Sequence, residues 1–341
     1  GEQLDYSLMA HTGFWLLVIL AFFAGAFLSG LYPALFLSSF KPTTVFQGVS
    51  ELKVGGLGMR RILVIFQFTT SLLLIAGTLT VYTQITFMKN SDLGVDIENV
   101  MVLKGPSVND STYSETFSAF KSELMRSPDI AMVTASIVVP GRQPPWNAGG
   151  IRRISEGDED GNQYRIVGFD YDFVDFYGLT ILEGRNFSRE FGQNSSTVLF
   201  NEAAIELMGF EDMESAMNVP IFFWGDTFNI VGVVQNYHQE GLKAEQEPLI
   251  FRFFEDPAGY YSLKVNPART QEVLSFVEEQ WMHFFPQNPY EYFFLEDYYN
   301  EQYRNEMRVG KVFGLFAFLA IFIAALGLFG LSSYTTLQRT R

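Results

Sequence analysis

Cysteine is absent from all 341 residues. That removes a disulfide framework, a thiolate metal site and a cysteine nucleophile. Histidine is scarce. His11, His238 and His283 stand apart, with no His-x-His pair and no H-E-x-x-H helix. His238, in NYHQEG, reads as a structural or surface residue. Basic charge is short as well: 23 Lys and Arg face 38 Asp and Glu, for a net charge of −15. A nucleic-acid binder needs a basic face, so that class is excluded. No phosphate loop is present. The one Gly-Lys pair, Gly310-Lys311, has Asn305 where the leading glycine belongs and Val312 where Ser or Thr would hold magnesium. No G-x-S-x-G elbow occurs. SEGDEDGNQ (155–163) lacks the alternating acids and closing glutamate of an EF-hand loop. The acid clusters at Glu278-Glu279 and Glu296-Asp297 read as solvated surface. The expectation is a chain with no catalytic residues, no cofactor and no metal. The chain begins at Gly1 with no positively charged start before a short apolar core, so it reads as having no signal peptide and as a piece of a longer protein.

What the chain has in plenty is apolar length. Hydrophobic residues make up 48%, with 35 phenylalanines. Residues 62–88 and 312–338 carry no charge, and from Tyr6 to Phe40 the titratable groups are tyrosines and His11. About 20 apolar residues cross a bilayer core as a helix. Three membrane spans are therefore expected. Small residues at Gly25-x-x-x-Ser29, Ala26-x-x-x-Gly30 and Ala320-x-x-x-Ala324 would let helices approach closely. Lysine and arginine set the orientation. Lys41, Lys53, Arg60, Arg61, Arg339 and Arg341 flank one side, against Lys89, Arg304, Arg308 and Lys311 on the other. This bias puts 41–61 and the C-terminus in the cytoplasm and 89–311 outside. Lys41-Pro42 ends the first span at the cytoplasmic interface.

Between the second and third spans the composition turns polar and acidic, with 35 acids and 16 bases in 62–309. NVMVLK (99–104), IAMVTASIVVP (130–140), YYSLKV (260–265) and YEYFFLE (290–296) read as strands. Thr112–Pro128 and Thr270–Phe285 read as amphipathic helices, with Phe117, Phe120, Leu124 and Val273, Val277, Trp281 inward. Two βαβ units, one early and one late, predict an α+β layer assembled from 98–140 and 248–308. Residues 141–247, richer in turns and short strands, read as an inserted subdomain. Glu296–Val309 is expected to run as one helix into the third span, with Gly310 as its weak point, a hinge or a helix contact.

Several stretches resemble the FtsX-like permease family with MacB-type periplasmic core domains. SGLYPALFLSSFKPTTVFQG is similar to the last span of a first permease unit in the long double-unit permeases of Bacteroidota. RRILVIFQFTTSLLLIAGTLTVYTQITFMKNSDLG resembles the first span of the second unit. LEGRNFS, VLFNEAAIELMGF and FNIVGVVQNYHQEGLKAEQEPLIF resemble recurring segments of the core domain. FGLFAFLAIFIAALGLFGLSSYTTLQRTR resembles the helix that opens the FtsX-like bundle. The resemblance implies a layout: 1–40 ending a first unit, 41–61 a cytoplasmic linker, 62–88 a span, 89–311 the periplasmic domain and 312–341 the start of a truncated bundle. It implies a bacterial inner-membrane permease without enzymatic activity of its own. A cytoplasmic ABC ATPase would drive it for export or mechanotransmission, with lipid, a second or internal pseudo-symmetric permease unit and a periplasmic protein as partners. Lys41, Arg60, Arg61, Arg339 and Arg341 would contact the ATPase or anchor the topology. Two other readings stay open: an extracytoplasmic ligand-sensing receptor, and a regulator of cell-wall hydrolases.

Overall fold

The computed structural model describes residues 56–108, 110–192, 195–242 and 245–339, and parts of 13–31. The chain forms two units, 1–67 and 68–341. In the first, the described residues within Trp15–Phe27 are helical, and the first turns of helix α1 (Gly56–Asn90) belong here. The rest of the predicted first span and the 41–55 linker lie outside the described residues.

Two helices among the described residues are long and apolar enough to cross a membrane, through Ile65–Lys89 of α1 and Glu306–Gly330 of the last helix. Both expose their apolar side chains: Phe66, Leu72, Phe87, Phe318 and Phe329 are more than half exposed. In water that surface would be untenable, and in lipid it is the solvated face.

The outer domain begins with β1 (Val100–Lys104), α2 (Tyr113–Leu124) and β2 (Ile130–Ser136), and ends with β10 (Tyr260–Val265), α6 (Thr270–Phe284) and β11 (Tyr292–Phe294). These four strands lie side by side in the order β11-β1-β10-β2, every neighbour antiparallel. β1 and β2 are thus parallel with β10 slotted between them, and β10 and β11 are parallel around β1. This is the split βαβ arrangement, with each unit lending a strand to the other's gap. Both helices cover one face. Phe117, Phe120 and Leu124 meet Val273, Val277 and Trp281 over Met101, Leu103, Val133, Tyr261 and Leu263. The Trp281 indole N–H donates to the Asn288 carbonyl at 3.1 Å, so its burial leaves no unpaired donor.

Everything between β2 and β10 forms a second body. β3 (Trp146–Arg153), β4 (Asn162–Phe169), β6 (Thr197–Asn201), β7 (Pro220–Phe223), β8 (Asp226–Val234) and β9 (Leu249–Phe253) pair in the cycle β4-β3-β7-β8-β6-β9-β4. The parallel β4–β9 pairing, with Arg165 opposite Leu249 and Phe169 opposite Phe253, closes the ring. β5 (Ile181–Gly184) adds to β8 outside it. Alternation decides which side chain goes where. Tyr164, Ile166, Val198, Phe200, Ile230 and Ile250 point into the ring, covered by Ala204 and Ile205 of α4 (Glu202–Leu207) and by Met208 just after it. Phe169, Leu199, Val231 and Phe251 point outward, into a shared core with Val100, Val102, Phe173 and Tyr177. SEGDEDGNQ sits at the turn of the β3–β4 hairpin, with a single helical turn at Asp158–Asp160.

Two expectations need correction. Residues 248–253 were grouped with the split sheet, but β9 bonds to β4 and β6 of the ring. Nor is the lever into the last span unbroken. Helix α7 (Leu295–Gln302) ends at Tyr303, with φ −99° and ψ 1°, and α8 (Arg304–Arg339) begins at once. The Met307 N–H still bonds the Tyr303 carbonyl at 3.0 Å, so the irregularity is one residue wide. Gly310 lies inside regular helix.

Candidate functional site: the junction of helix ends and outer domain

Both apolar helices deliver their outer ends to one short segment, Asn236–Gly241, which leaves the ring after β8. From α1, the chain turns at Asp92–Gly94, where Asp92 Oδ1 accepts the Gly94 N–H at 2.8 Å. The Leu93 carbonyl then accepts the His238 N–H at 2.9 Å. From the other helix, the Tyr299 hydroxyl of α7 donates to the His238 carbonyl at 3.4 Å. The backbone of His238 is therefore held from two sides, by the turn that follows α1 and by α7, which leads into α8.

The adjoining loop, 139–142, is tied into the same knot. The Gly141 N–H donates to the Gln239 carbonyl at 2.6 Å. The Gln239 side-chain amide donates to the carbonyls of Val139 at 3.0 Å and Arg142 at 2.7 Å, and its oxygen accepts from the Tyr237 hydroxyl at 2.7 Å. Gln302 of α7 donates to the Gly141 carbonyl at 2.9 Å. Gln239 is 5% exposed and its amide is fully engaged. A buried polar group so satisfied specifies one geometry.

Glycine is needed at two points of this knot. Gly141 has φ +91° and Gly241 +88°, where a Cβ is disfavoured. Space is short as well: a Cβ at Gly141 would lie 2.8 Å from Tyr299 Cε2, whereas one at Gly241 would meet Gln302 Oε1 at 2.8 Å and require that side chain to shift. Burial raises the Tyr237 and Tyr299 hydroxyls well above the ordinary tyrosine range, so both stay protonated as donors. Arg142 lies over the rings of Tyr260, Phe293 and Tyr298 at 4.7–5.3 Å, joining the loop to β10, β11 and α7.

A second feature joins the split sheet to the ring. The two bodies share one strand pairing, Ser136 opposite Phe169. Beside it Asp170 is 3% exposed and accepts from Thr134 Oγ1 at 2.5 Å, the Ala135 N–H at 3.1 Å and Lys121 Nζ at 2.5 Å. Lys121 Nζ also reaches Asp172 at 2.5 Å. Burial pushes the Asp170 carboxyl up, and Lys121 opposes that shift. An open cleft of about 870 Å³ lies over this cluster, with Glu115, Arg189, Glu255 and Asp256 at its sides.

The residues singled out in the sequence fall elsewhere. Arg60 and Arg61 lie in the first turns of α1, and Arg339 is the last residue of α8. Lys41 and Arg341 lie outside the described residues. Gly310 faces α1: a Cβ there would meet Val81 Cγ1 at 3.7 Å, and one at Gly314 would meet Thr78 Cγ2 at 3.9 Å. Ala317, Ala324 and, on α1, Ser71 are also buried. No group of three or more potential metal ligands occurs among the described residues. The junction itself was missed. Its one sequence signal was the pair of glycines in PGR and QEG beside polar residues, which reads as turn chemistry.

By fold, then, the protein is a split βαβ layer interrupted by a six-stranded ring, with an apolar helix leading in and another leading out. Three solved structures are similar to it. The periplasmic region of MacB from Actinobacillus actinomycetemcomitans shares 12% identity, covers 64% of this chain and 98% of its own, and has a TM-score of 0.44. The extracellular domain of the noncanonic ABC-type transporter YknZ from Gram-positive bacteria, also 12% identical, covers 57% and 97% with a TM-score of 0.39. A domain of a putative permease protein from Porphyromonas gingivalis, again 12% identical, covers 57% and 88% with a TM-score of 0.37. No protein-family model matches the sequence, and no curated protein matches it.

Proposed function

We propose that the chain is part of the membrane subunit of an ABC transporter. In it, α1 and α8 carry motion between a cytoplasmic ATPase and the outer domain. The observation that supports this reading most is the double bracket on His238, because a displacement of either helix end pulls on the same segment. The outer domain then handles a transported molecule or a periplasmic partner. Residues 89–311 lie outside the inner membrane, and 1–40 supplies a further span. Arg60, Arg61 and Arg339, with Lys41 and Arg341, anchor the cytoplasmic ends or meet the ATPase. A second permease unit completes the assembly.

Co-purification with a nucleotide-binding subunit encoded beside this chain tests the reading. The expected result is a stable complex in which ATP with vanadate alters hydrogen exchange in 236–241 and 299–302. Failure to bind any such subunit, or exchange indifferent to nucleotide in a formed complex, counts against it.

A further inference from the structure

The segment that receives both helix ends includes Glu240, and six residues past Gly241 the chain reaches Glu247, with Pro248 before β9. Glu240 and Glu247 meet carboxyl to carboxyl, within hydrogen-bonding reach of each other. Glu240 Oε1 and Glu247 Oε2 are both buried, and neither has a donor among the described residues. An ionised carboxylate is only an acceptor, so two facing ones have nothing to offer each other. One proton between them supplies the missing donor and removes the repulsion of two like charges.

The surroundings suit a single negative charge. Arg165 of β4 places Nε 3.3 Å from Glu247 Oε1, and Gln143 of the 141–145 loop hydrogen-bonds Glu240. These, with Glu247 itself, are the groups acting on Glu240; His238 lies two residues upstream, and Lys243 lies outside the described residues. The backbone makes the pair a fastener. The Glu247 carbonyl accepts from Asn201 Nδ2 at 2.9 Å, and the Pro248 carbonyl accepts from the Arg165 N–H at 3.0 Å. Glu247 is thus fixed to the ring, whereas Glu240 belongs to the junction segment.

We propose that Glu240 and Glu247 share one proton, and that this proton fastens the junction segment to the ring. Burial and the Glu247 charge raise the Glu240 carboxyl above its ordinary range, in agreement with that geometry. The fastening is complete in acid and is lost as pH rises through the raised value, because the folded state then has to give up the proton that it holds more tightly than the unfolded chain. The effect on transmission rests on the permease reading; the shared proton does not.

The test uses the full chain in detergent or nanodiscs. Hydrogen exchange, corrected for intrinsic rates, is followed across 236–249 between pH 5 and pH 8. The wild type is expected to lose roughly tenfold in protection over that range. Glu240→Gln, whose amide donates permanently, should stay protected throughout. Glu240→Ala should be open throughout. A wild type indifferent to pH overturns the proposal, as does a dependence that persists undiminished in Glu240→Gln and so belongs to another group such as His238. Difference infrared provides a second readout that needs no Glu240 variant. In the Asp170→Asn chain, a protonated carboxyl band should titrate with the loss of protection, and its absence at pH 5 to 6 would sink the idea.

Discussion

The split sheet and the ring solve the same problem in opposite ways. The split sheet is open. One face is covered by α2 and α6, and β11 is left as an edge. The ring closes on itself, since β9 returns to β4, and it encloses a core of its own besides the one that its outer face shares with the split sheet. An open sheet can add or lose partners along its edge, whereas a closed one can only move as a body. The two meet at the single Ser136–Phe169 pairing with its Asp170 cluster, the coupling between them, and over the core that they share.

Breaking each core separately sharpens that division most. Trp281→Ala in the split sheet and Phe200→Ala in the ring each remove a fully buried aromatic, a loss of about 3–5 kcal/mol. If the two bodies are distinct, limited proteolysis after Trp281→Ala should nick 113–136 and 260–294 before it cuts 146–253. Phe200→Ala should reverse the order. Equal cleavage of both halves in both variants would merge them into one cooperative unit.

Loosening the coupling comes next. Asp170→Asn keeps the shape but leaves Lys121 with the more exposed Asp172 alone, for an expected loss of about 1–3 kcal/mol. The folded protein holds the Asp170 proton more tightly than the unfolded chain does, so this group's contribution is greatest in acid and declines as pH rises through the folded value. Denaturation midpoints of the asparagine variant should therefore fall less steeply with pH than those of the wild type.

At the helix junction, Gly241→Ala forces a side chain into a positive-φ position against Gln302. A loss of about 1–2 kcal/mol is expected, read as faster exchange at 299–302 with both cores untouched. The smallest effect belongs to Gly310→Ala. The added methyl meets Val81 at ordinary contact distance and improves helix propensity by up to ~1 kcal/mol. Expression and transport should hardly change. Export abolished in a folded protein would make Gly310 a hinge.

Local periodicity made the split sheet readable. β1, α2, β2, β10 and α6 fall within a few residues of where the apolar spacing put them, and Phe117, Phe120, Val277 and Trp281 are inward as expected. The ring was visible only as turn-rich sequence between the two halves. Its closure depends on Arg165 to Phe169 pairing in parallel with Leu249 to Phe253, some eighty residues on, and no local pattern encodes a partner so distant. That is also why β9 was assigned to the wrong body. The junction was harder still, since its specificity lies in carbonyls and amide protons of His238, Gly141 and Leu93. The irregularity escaped as well: Tyr303 is an unremarkable helix residue by propensity, and the hydrogen bonds of its neighbours Tyr299 and Gln302 run to distant loops.

β10 lies between β1 and β2, yet more than a hundred residues separate it from either neighbour along the chain. During synthesis, the first two strands emerge with an empty slot between them, and the whole ring must be made before the strand that fills it exists. Pairings this distant form slowly. For that interval two strand edges stand unpaired, and unpaired edges are the part of a folding domain most exposed to aggregation.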